Sequence, residues 1–374
     1  MSDYSNSENH SLLSLILPKE SVVPVSEAIG KAGAKGIFEV TARGSVLNEG
    51  GFLQRMFPPP APEQHLIQTL VPNDKVNAVT EAAVSSGNLN RVGAGAVFVI
   101  DCNDARHTEK FPAATATGES NGSSSDYSAD LEAICCICEI GIADDIAKAA
   151  LESGAPGPTV TFGEGGGVRD KIPLLRITKG PEKEFVWCVV EKNEADEVFG
   201  NMARAGKITE PGRGFMYSIP VSSGIVNVSS TVSSSSHGAN MEQVIAAIDE
   251  IKGGKDWRSG ADAGKGKALK TTFLENLVGL YCIVPRDNYS DVYDALLEAG
   301  APGVSTNFGV MLDADSGDGE QAQNEEWAVV YTSLGPANVD KVRNAVAGKI
   351  DSIGLDRAAF YTLPIPKALT YLGG

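Results

Sequence analysis

The sequence predicts an α+β fold in which three ferredoxin-like units, each ordered strand–helix–strand–strand–helix–strand, pack as an intramolecular pseudo-trimer. Three observations carry this prediction. Gly87–Cys102 (GNLNRVGAGAVFVIDC) returns as Gly206–Val221 (GKITEPGRGFMYSIPV), with Gly87, Leu89, Gly93 and Gly95 falling on Gly206, Ile208, Gly212 and Gly214 without a gap. A Gly-Ala-x-Gly turn begins at Gly33, Gly154 and Gly300, each time eight residues after an apolar helix position, Val25, Ile146 or Val292. The order of apolar runs also restarts twice, after a Ser/Gly-rich stretch and after a longer connector. A four-stranded sheet with both helices on one face leaves an apolar face uncovered, so each copy needs the others.

The boundaries follow from composition along the chain. The first unit spans 11–112, a Ser/Gly-rich linker 113–129, the second unit 130–226, a connector 227–270, and the third unit 271–374. In the first unit, strands are expected at Leu12–Leu17, Gly36–Thr41, Leu66–Val71 and Ala96–Ile100, with helices at Val22–Ala32 and Asp74–Ser85. In the second, strands fall at Ala133–Cys138, Thr159–Phe162, Phe185–Val190 and Phe215–Val221, and helices at Ile142–Glu152 and Glu194–Ala205. The third has strands at Leu277–Val284, Ser305–Phe308, Trp327–Thr332 and Ala358–Leu363, and helices at Tyr289–Glu298 and Val339–Ala347. The connector is expected to hold one amphipathic helix, Met241–Lys252. Between the two halves of each unit lies a long irregular segment: Arg43–Gln64, Gly163–Lys183 and Leu312–Glu326.

Composition narrows the function classes. The 374 residues carry a net charge of −17, which disfavours a nucleic-acid partner. The 42% apolar content suffices for real cores. Six cysteines, mostly inside apolar runs, lack the spacing of a disulfide framework and fit a reducing compartment. The N-terminal stretch has no basic region and only a short apolar run, and no stretch reaches membrane-spanning length, so a cytoplasmic location is expected.

The second unit, GAPGPTVTFGEGGG followed by PEKEFVWCVVEKNEADEVFGNMARAGKITEPGRGFMYSIPV, resembles the PII nitrogen-regulator family and its PII-like relatives. The first unit is similar through GAKGIFEVTARG and its Gly93-Ala94-Gly95 turn, and the third through its first half. Members of that family are homotrimers, so the resemblance implies a trimer fused into one chain. It implies a non-enzymatic sensor of nitrogen status that binds a small anionic ligand between units. Occupancy would be signalled through the long loops to a metabolic enzyme or membrane transporter. Carried over by position, the phosphate-cradling turns are Gly93 and Gly95, and Gly212, Arg213 and Gly214. The bases of the sensing loops are Arg43 and Gly44, and Gly163, Gly165, Gly166 and Gly167, with Gly309 in the third unit. Arg106 and His107 hold the place of basic contacts from a neighbouring unit. An adenine nucleotide is the ligand such turns imply, but the family's Lys after the turn is replaced by Ala96 and Phe215, and the third turn holds Asp356, leaving the ligand open. The alternative is a self-associating structural protein, with higher assembly and no ligand.

Other motifs read as structural. Cys135, Cys136 and Cys138 cannot converge on a metal from one strand and are expected in the core. Gly118–Gly122 matches a nucleophile-elbow pattern but sits in a linker. The acidic stretch Asp313–Glu320 fails the calcium-loop signature. No nucleophile or acid–base pair with a placed partner is evident, so no enzyme and no metal are expected. The Gly163–Gly167 run suggests close approach to a ligand, or a hinge.

Overall fold

The computed structural model describes residues 5–7, 9–47, 61–115, 127–167, 182–228, 231–232, 272–312 and 325–372. The first segment runs β1 (Ser5–Ser7), β2 (His10–Pro18), α1 (Lys19–Lys31), β3 (Ile37–Gly44), β4 (Val46–Leu47), β5 (Glu63–Pro72), α2 (Val76–Gly87), β6 (Gly95–Asp101) and β7 (Asp104–His107). The second runs β8 (Leu131–Glu139), α3 (Ala143–Glu152), β9 (Thr159–Gly167), β10 (Glu182–Glu191), α4 (Lys192–Ala205), β11 (Gly214–Val221), β12 (Ser223–Asn227) and β13 (Thr231–Val232). The third runs β14 (Leu274–Pro285), a 3-10 turn, α5 (Tyr289–Ala299), β15 (Gly303–Leu312), β16 (Glu325–Leu334), α6 (Pro336–Ser352) and β17 (Ala359–Thr370). The connector helix expected at Met241–Lys252, the Gly118–Gly122 motif and the Asp313–Glu320 stretch lie outside the described residues.

The Gly-Ala-x-Gly turns end a helix in the same way each time. Gly33, Gly154 and Gly300 take left-handed backbone with φ of 106°, 91° and 105°. The following alanine N–H then reaches back to the helix: Ala34 to the Ile29 carbonyl, Ala155 to Ala150 and Ala301 to Leu296. This closes off carbonyls the helix leaves unpaired. The alanines are buried, which favours a small side chain there.

The expected fold class is corrected by how the strands pair. Three ferredoxin-like units would each keep a four-stranded sheet, and the three would meet face to face as a pseudo-trimer. Instead fifteen of the seventeen described strands merge into one sheet, and β4 and β13 pair separately. Nine of them, β3, β9, β10, β8, β11, β17, β14, β16 and β15, pair in that order, and β15 pairs back to β3. All these pairings are antiparallel, so the sheet closes into a barrel. From β3 the sheet continues through β5, β2, β6 and β12, and from β17 through β7 and β1. The PII-type picture of separate units carrying separate sensing loops falls with that fold class.

Two features of the chain produce the merger. Central strands are apolar on both faces: in β8, Ile134, Cys136 and Cys138 pack under α3 and α4, while Ala133, Cys135 and Ile137 face the common core. Strands also run past their expected ends and reach their neighbours. β9 continues through Gly163–Gly167 and pairs with β15, setting Gly163 opposite Asn307 and Gly167 opposite Gly303. β17 continues to Thr370 and pairs with β11. The short strands β7 and β12 lie on β17 and β6. The fourth strand of each segment is thereby flanked by a strand from the segment that follows it in the cycle 1, 2, 3 or closes that cycle.

The interior of the barrel is filled by aromatic side chains rather than left open as a channel. Tyr281 stacks on Tyr331 and on Tyr361 with ring centroids 4.9 Å apart in both pairs. Trp187 meets Tyr217 edge-on, and the Tyr217 and Tyr281 hydroxyls lie 3.3 Å apart. Burial pushes the phenols of Tyr217, Tyr281, Tyr331 and Tyr361 above the usual tyrosine range. The six helices among the described residues cover the outer face in three clusters.

At the closure, β3, β9 and β15 form a triangle in which each strand pairs with the other two through different halves. Residues 42–44 of β3 pair with β9, and 37–39 with β15. The bends between those halves fall at Thr41, Phe162 and Phe308, which are equivalent positions after the Gly-Ala-x-Gly turns. A Cβ on Gly163 would lie 2.0 Å from the Thr306 carbonyl oxygen, and one on Gly309 would lie 2.1 Å from that of Glu39. Both contacts are with backbone and cannot be relieved cheaply. Gly309→Ala is therefore expected to cost at least about 2 kcal/mol in denaturant unfolding, by overpacking. Gly165→Ala, whose Cβ would have the Lys183 side chain at 3.1 Å as its nearest neighbour and the Val304 carbonyl oxygen no nearer than 3.7 Å, is expected to stay within about 1 kcal/mol of the parent. Equal stability of the two variants would contradict the junction.

Candidate ligand site

The triangle leaves a cleft of about 550 Å³ at its centre, within the range of small-molecule sites. All three segments line it. β3 contributes Glu39, Val40 and Thr41, and β9 contributes Phe162, Gly163 and Glu164. Ile140, Glu182 and Lys183 come from the strand ends beside β9, and Arg286, Phe308, Gly309 and Val310 from the third segment. Phe162 and Ile140 are 46% and 51% exposed, a poor place for large apolar side chains unless something covers them. The Arg286 guanidinium lies 4.2 Å over the Phe308 ring, and its Nε is 3.3 Å from Glu326. Glu39 sits 2.6 Å from His65 Nδ1.

Sequence reasoning placed Arg43, Gly44, Gly163, Gly165, Gly166 and Gly167 together, and the structure does bring them to this region on β3 and β9. Their contacts are with protein. Arg43 donates to Asp144 at 2.5 Å and to Glu184 at 3.2 Å, and its guanidinium lies 5.8 Å from the Phe162 ring centroid. Glu184 is 4% exposed and accepts from the Gly141 and Ala143 amides at 2.7 and 3.2 Å. The start of α3 thus receives a buried carboxylate that Arg43 neutralises from another segment. Gly44 packs on Pro62, and the Gly163–Gly167 run is strand backbone against β15. Close approach explains these glycines, but the approaching group is a neighbouring strand.

The two glycine turns lie apart from the cleft, at the starts of β6 and β11. Gly93 and Gly212 have φ of 85° and 75°, as a tight turn needs. A Cβ on Gly95 or Gly214 would fall 2.3 Å from the Ile16 carbonyl oxygen or 2.0 Å from that of Ile137. Each turn is also covered by a strand or tail from another segment. The Gly93 N–H donates to the Asn227 carbonyl, and the Asn227 side chain to the Leu89 carbonyl, both at 2.7 Å. The Thr370 hydroxyl donates to the Gly214 carbonyl at 2.8 Å. At the third turn, Lys110 donates its N–H to the Asp356 carbonyl and pairs its ammonium with the Asp356 carboxylate, holding that carboxyl below its usual range. Arg213 lies 3.7 Å from Glu139 and 3.5 Å from Glu210.

Arg106 and His107 belong to β7, between β17 and β1. Arg106 pairs with Asp104, and His107 Nδ1 lies 3.0 Å from the Thr108 carbonyl. The space beside them is about 10 Å³, room for about one water. Cleft residues that the sequence did not single out are Phe162, Phe308, Lys183, Arg286 and the three glutamates. The shared Phe-Gly at 162–163 and 308–309 is the signal that could have found them.

The cysteines occupy the core. Cys135, Cys136, Cys138, Cys188 and Cys282 are buried, and burial pushes Cys102, Cys138 and Cys188 up to about 12. Among the described residues no group of three or more His, Cys, Asp or Glu side chains could hold a metal ion, and no helix is long and apolar enough to cross a membrane.

No family model matches the chain, and no curated protein matches it. Among solved structures, an aspartate kinase from Synechocystis aligns over 96% of this chain and 44% of its own length, at 10% identity and a TM-score of 0.22. The chain therefore spans under half of that protein, and a likeness this distant carries no argument about fold or activity.

Removing the Arg43 head leaves the Glu184 carboxylate buried without its cation. Arg43→Ala is expected to lower unfolding stability by about 2–4 kcal/mol, allowing for the arginine's partial exposure. Arg43→Ala together with Glu184→Gln should recover part of that loss, and a double variant no more stable than Arg43→Ala would contradict the pairing. The native protein should leave its five buried thiols unmodified by a thiol reagent at pH 8, where a raised pKa keeps them protonated. Rapid modification of more than the half-buried Cys102 without denaturant would contradict the burial.

Proposed function

We propose that the chain is a non-enzymatic binding protein that holds a small organic acid in the junction cleft. The observation that carries this reading is the cleft's composition. Exposed Phe162 and Ile140, with Phe308, offer apolar surface, and Lys183 and Arg286 in the same lining offer positive charge. A guanidinium over an aromatic ring, with an ammonium in the same lining, suits a carboxylate attached to an apolar body. Among the described residues the lining has no cysteine, serine or histidine nucleophile, so binding describes it better than turnover. A protein target such as a metabolic enzyme or transporter that reads cleft occupancy would complete a regulatory role.

This relocates the ligand from the glycine turns, whose facing groups already have protein partners. The same partners favour a second reading, a structural protein whose strand exchanges serve rigidity and self-association. Light scattering across a concentration series without ligand separates the two, since only the structural reading expects assembly to grow.

A thermal-shift and calorimetry panel of aliphatic and aromatic carboxylates, inorganic phosphate and ATP tests the proposal. At least one apolar carboxylate should stabilise the parent, and Arg286→Gln with Phe308→Ala should weaken it about tenfold or more. Phosphate and ATP should not compete. If no carboxylate binds, or if binding survives the cleft variants and is lost in Gly93→Ala, the proposal fails.

A further inference from the structure

The three segments differ at one corner of the cleft. The residue that follows β2, β8 or β14 is Lys19, Ile140 or Arg286. Lys19 pairs with Glu63 at 2.9 Å and Arg286 with Glu326 at 3.3 Å, each carboxylate at the start of its segment's third long strand. Ile140 cannot make that pair, and Glu182, at the matching strand start, lines the cleft with it. The strand bends differ as well. Thr41 carries no ring, while the Phe308 ring has the Arg286 guanidinium over it at 4.2 Å and Tyr289 edge-on at 5.0 Å. Phe162 has the Arg43 guanidinium only at 5.8 Å and, like Ile140, is about half exposed. Among the described residues, the second segment alone leaves an aromatic ring and a branched aliphatic chain open to the cleft.

These groups share one face of the junction. Phe162 stands opposite Glu184, whose carboxylate accepts from the Gly141 amide next to Ile140, and Phe308 packs on Tyr289 of α5, so both rings lie on the helix-bearing side. The last pair between β9 and β15 is Gly163 with Asn307. Phe162 and Phe308 are therefore the next residue of each strand, at the point where the strands part. Facing positions in a strand pair lie about 5 Å apart, so one small molecule reaches both the Phe162 ring and the guanidinium over Phe308. That guanidinium is held by the ring beneath it and by Glu326 through Nε, which leaves its two terminal nitrogens for a carboxylate.

We propose that the ligand is an aromatic monocarboxylate, its ring against Phe162 and Ile140 and its carboxylate on Arg286. This rests on the proposed organic-acid site and adds the ring and the single charge. Aromatic pairs gain more from contact than the area they bury, so a flat ring is preferred to a saturated one. Glu39, Glu164 and Glu182 also line the cleft, and like charges brought together there disfavour a second carboxylate.

Calorimetry on the full chain with phenylacetate, cyclohexylacetate and phenylmalonate tests this. Phenylacetate should bind about three- to tenfold more tightly than its saturated counterpart, and more tightly than the dicarboxylate. Phe162→Leu should abolish the preference for the aromatic ring while cyclohexylacetate still binds, and Phe162→Tyr should keep the preference. Ile140→Gln should weaken phenylacetate about threefold or more. Unchanged melting temperatures without ligand show that these variants of exposed side chains fold. If cyclohexylacetate binds as tightly as phenylacetate, or if the preference survives Phe162→Leu, the aromatic assignment is overturned and the organic-acid site stands. Tighter binding of phenylmalonate overturns the single charge. If none of the three binds while another carboxylate in the wider panel does, the aromatic assignment alone is wrong; if no carboxylate binds, both readings fail.

Discussion

Three strands that share one another's edges hold this molecule together. β3, β9 and β15 each bend at a single residue and give half of their hydrogen-bonding length to each of the other two. Without that exchange, three sheets would end in open edges, with unpaired backbone groups facing solvent or each other. With it, nine strands close on themselves, and the apolar faces that the helices leave uncovered become the lining of one aromatic core. The closure demands backbone contact at Gly163 and Gly309, where no Cβ fits. It also leaves a gap at the bends, since a strand turning from one partner to another pairs with neither there. The cleft is a geometric by-product of closing the barrel, which explains why residues from all three segments line it.

The same logic of shared edges accounts for the glycine turns. Strands or tails lie over all three fourth-strand entries: β12 on β6, the end of β17 on β11, and the Thr108–Lys110 stretch after β7 beside Asp356. The Gly93 N–H, which could have faced an anion, donates to the Asn227 carbonyl, and at the other two turns Thr370 and Lys110 donate to the Gly214 and Asp356 carbonyls. A glycine-rich turn before a buried strand has two physical uses, to approach an anion or to approach a strand, and sequence alone does not distinguish them. Here Ile16 and Ile137 carbonyls stand where the Cβ of residues 95 and 214 would be, and the strand use accounts for both positions.

Much of the secondary structure was legible because local causes set it. The helix ends at Gly33, Gly154 and Gly300 follow from a left-handed glycine and a buried alanine, and the spacing to the preceding helix residue fixed their place. Strands such as β8 were legible from continuous apolar runs, which also explained its cysteines as core residues. Sheet architecture was not legible, because it depends on where strands stop. Gly163–Gly167 has one side chain, Glu164, too few to show a strand period, and read as loop, yet it is the strand half that closes the barrel. Residues 367–370 and 223–227 follow the last strand expected in their segments, yet they supply the exchanged edges. The cleft was partly legible: Gly163 and Gly309 were named, while Phe162 and Phe308 were hidden as ordinary strand apolars.

The account turns on Gly163–Gly167 being paired strand in solution, and amide hydrogen exchange measures that directly. Paired with β15, the amides of this run and of Val304–Asn307 should exchange slowly, with protection comparable to the neighbouring β10 and β16. Exchange of the glycine run at the rate of an open loop, while β10 and β16 stay protected, would show the barrel unclosed at its junction and would remove the cleft with it.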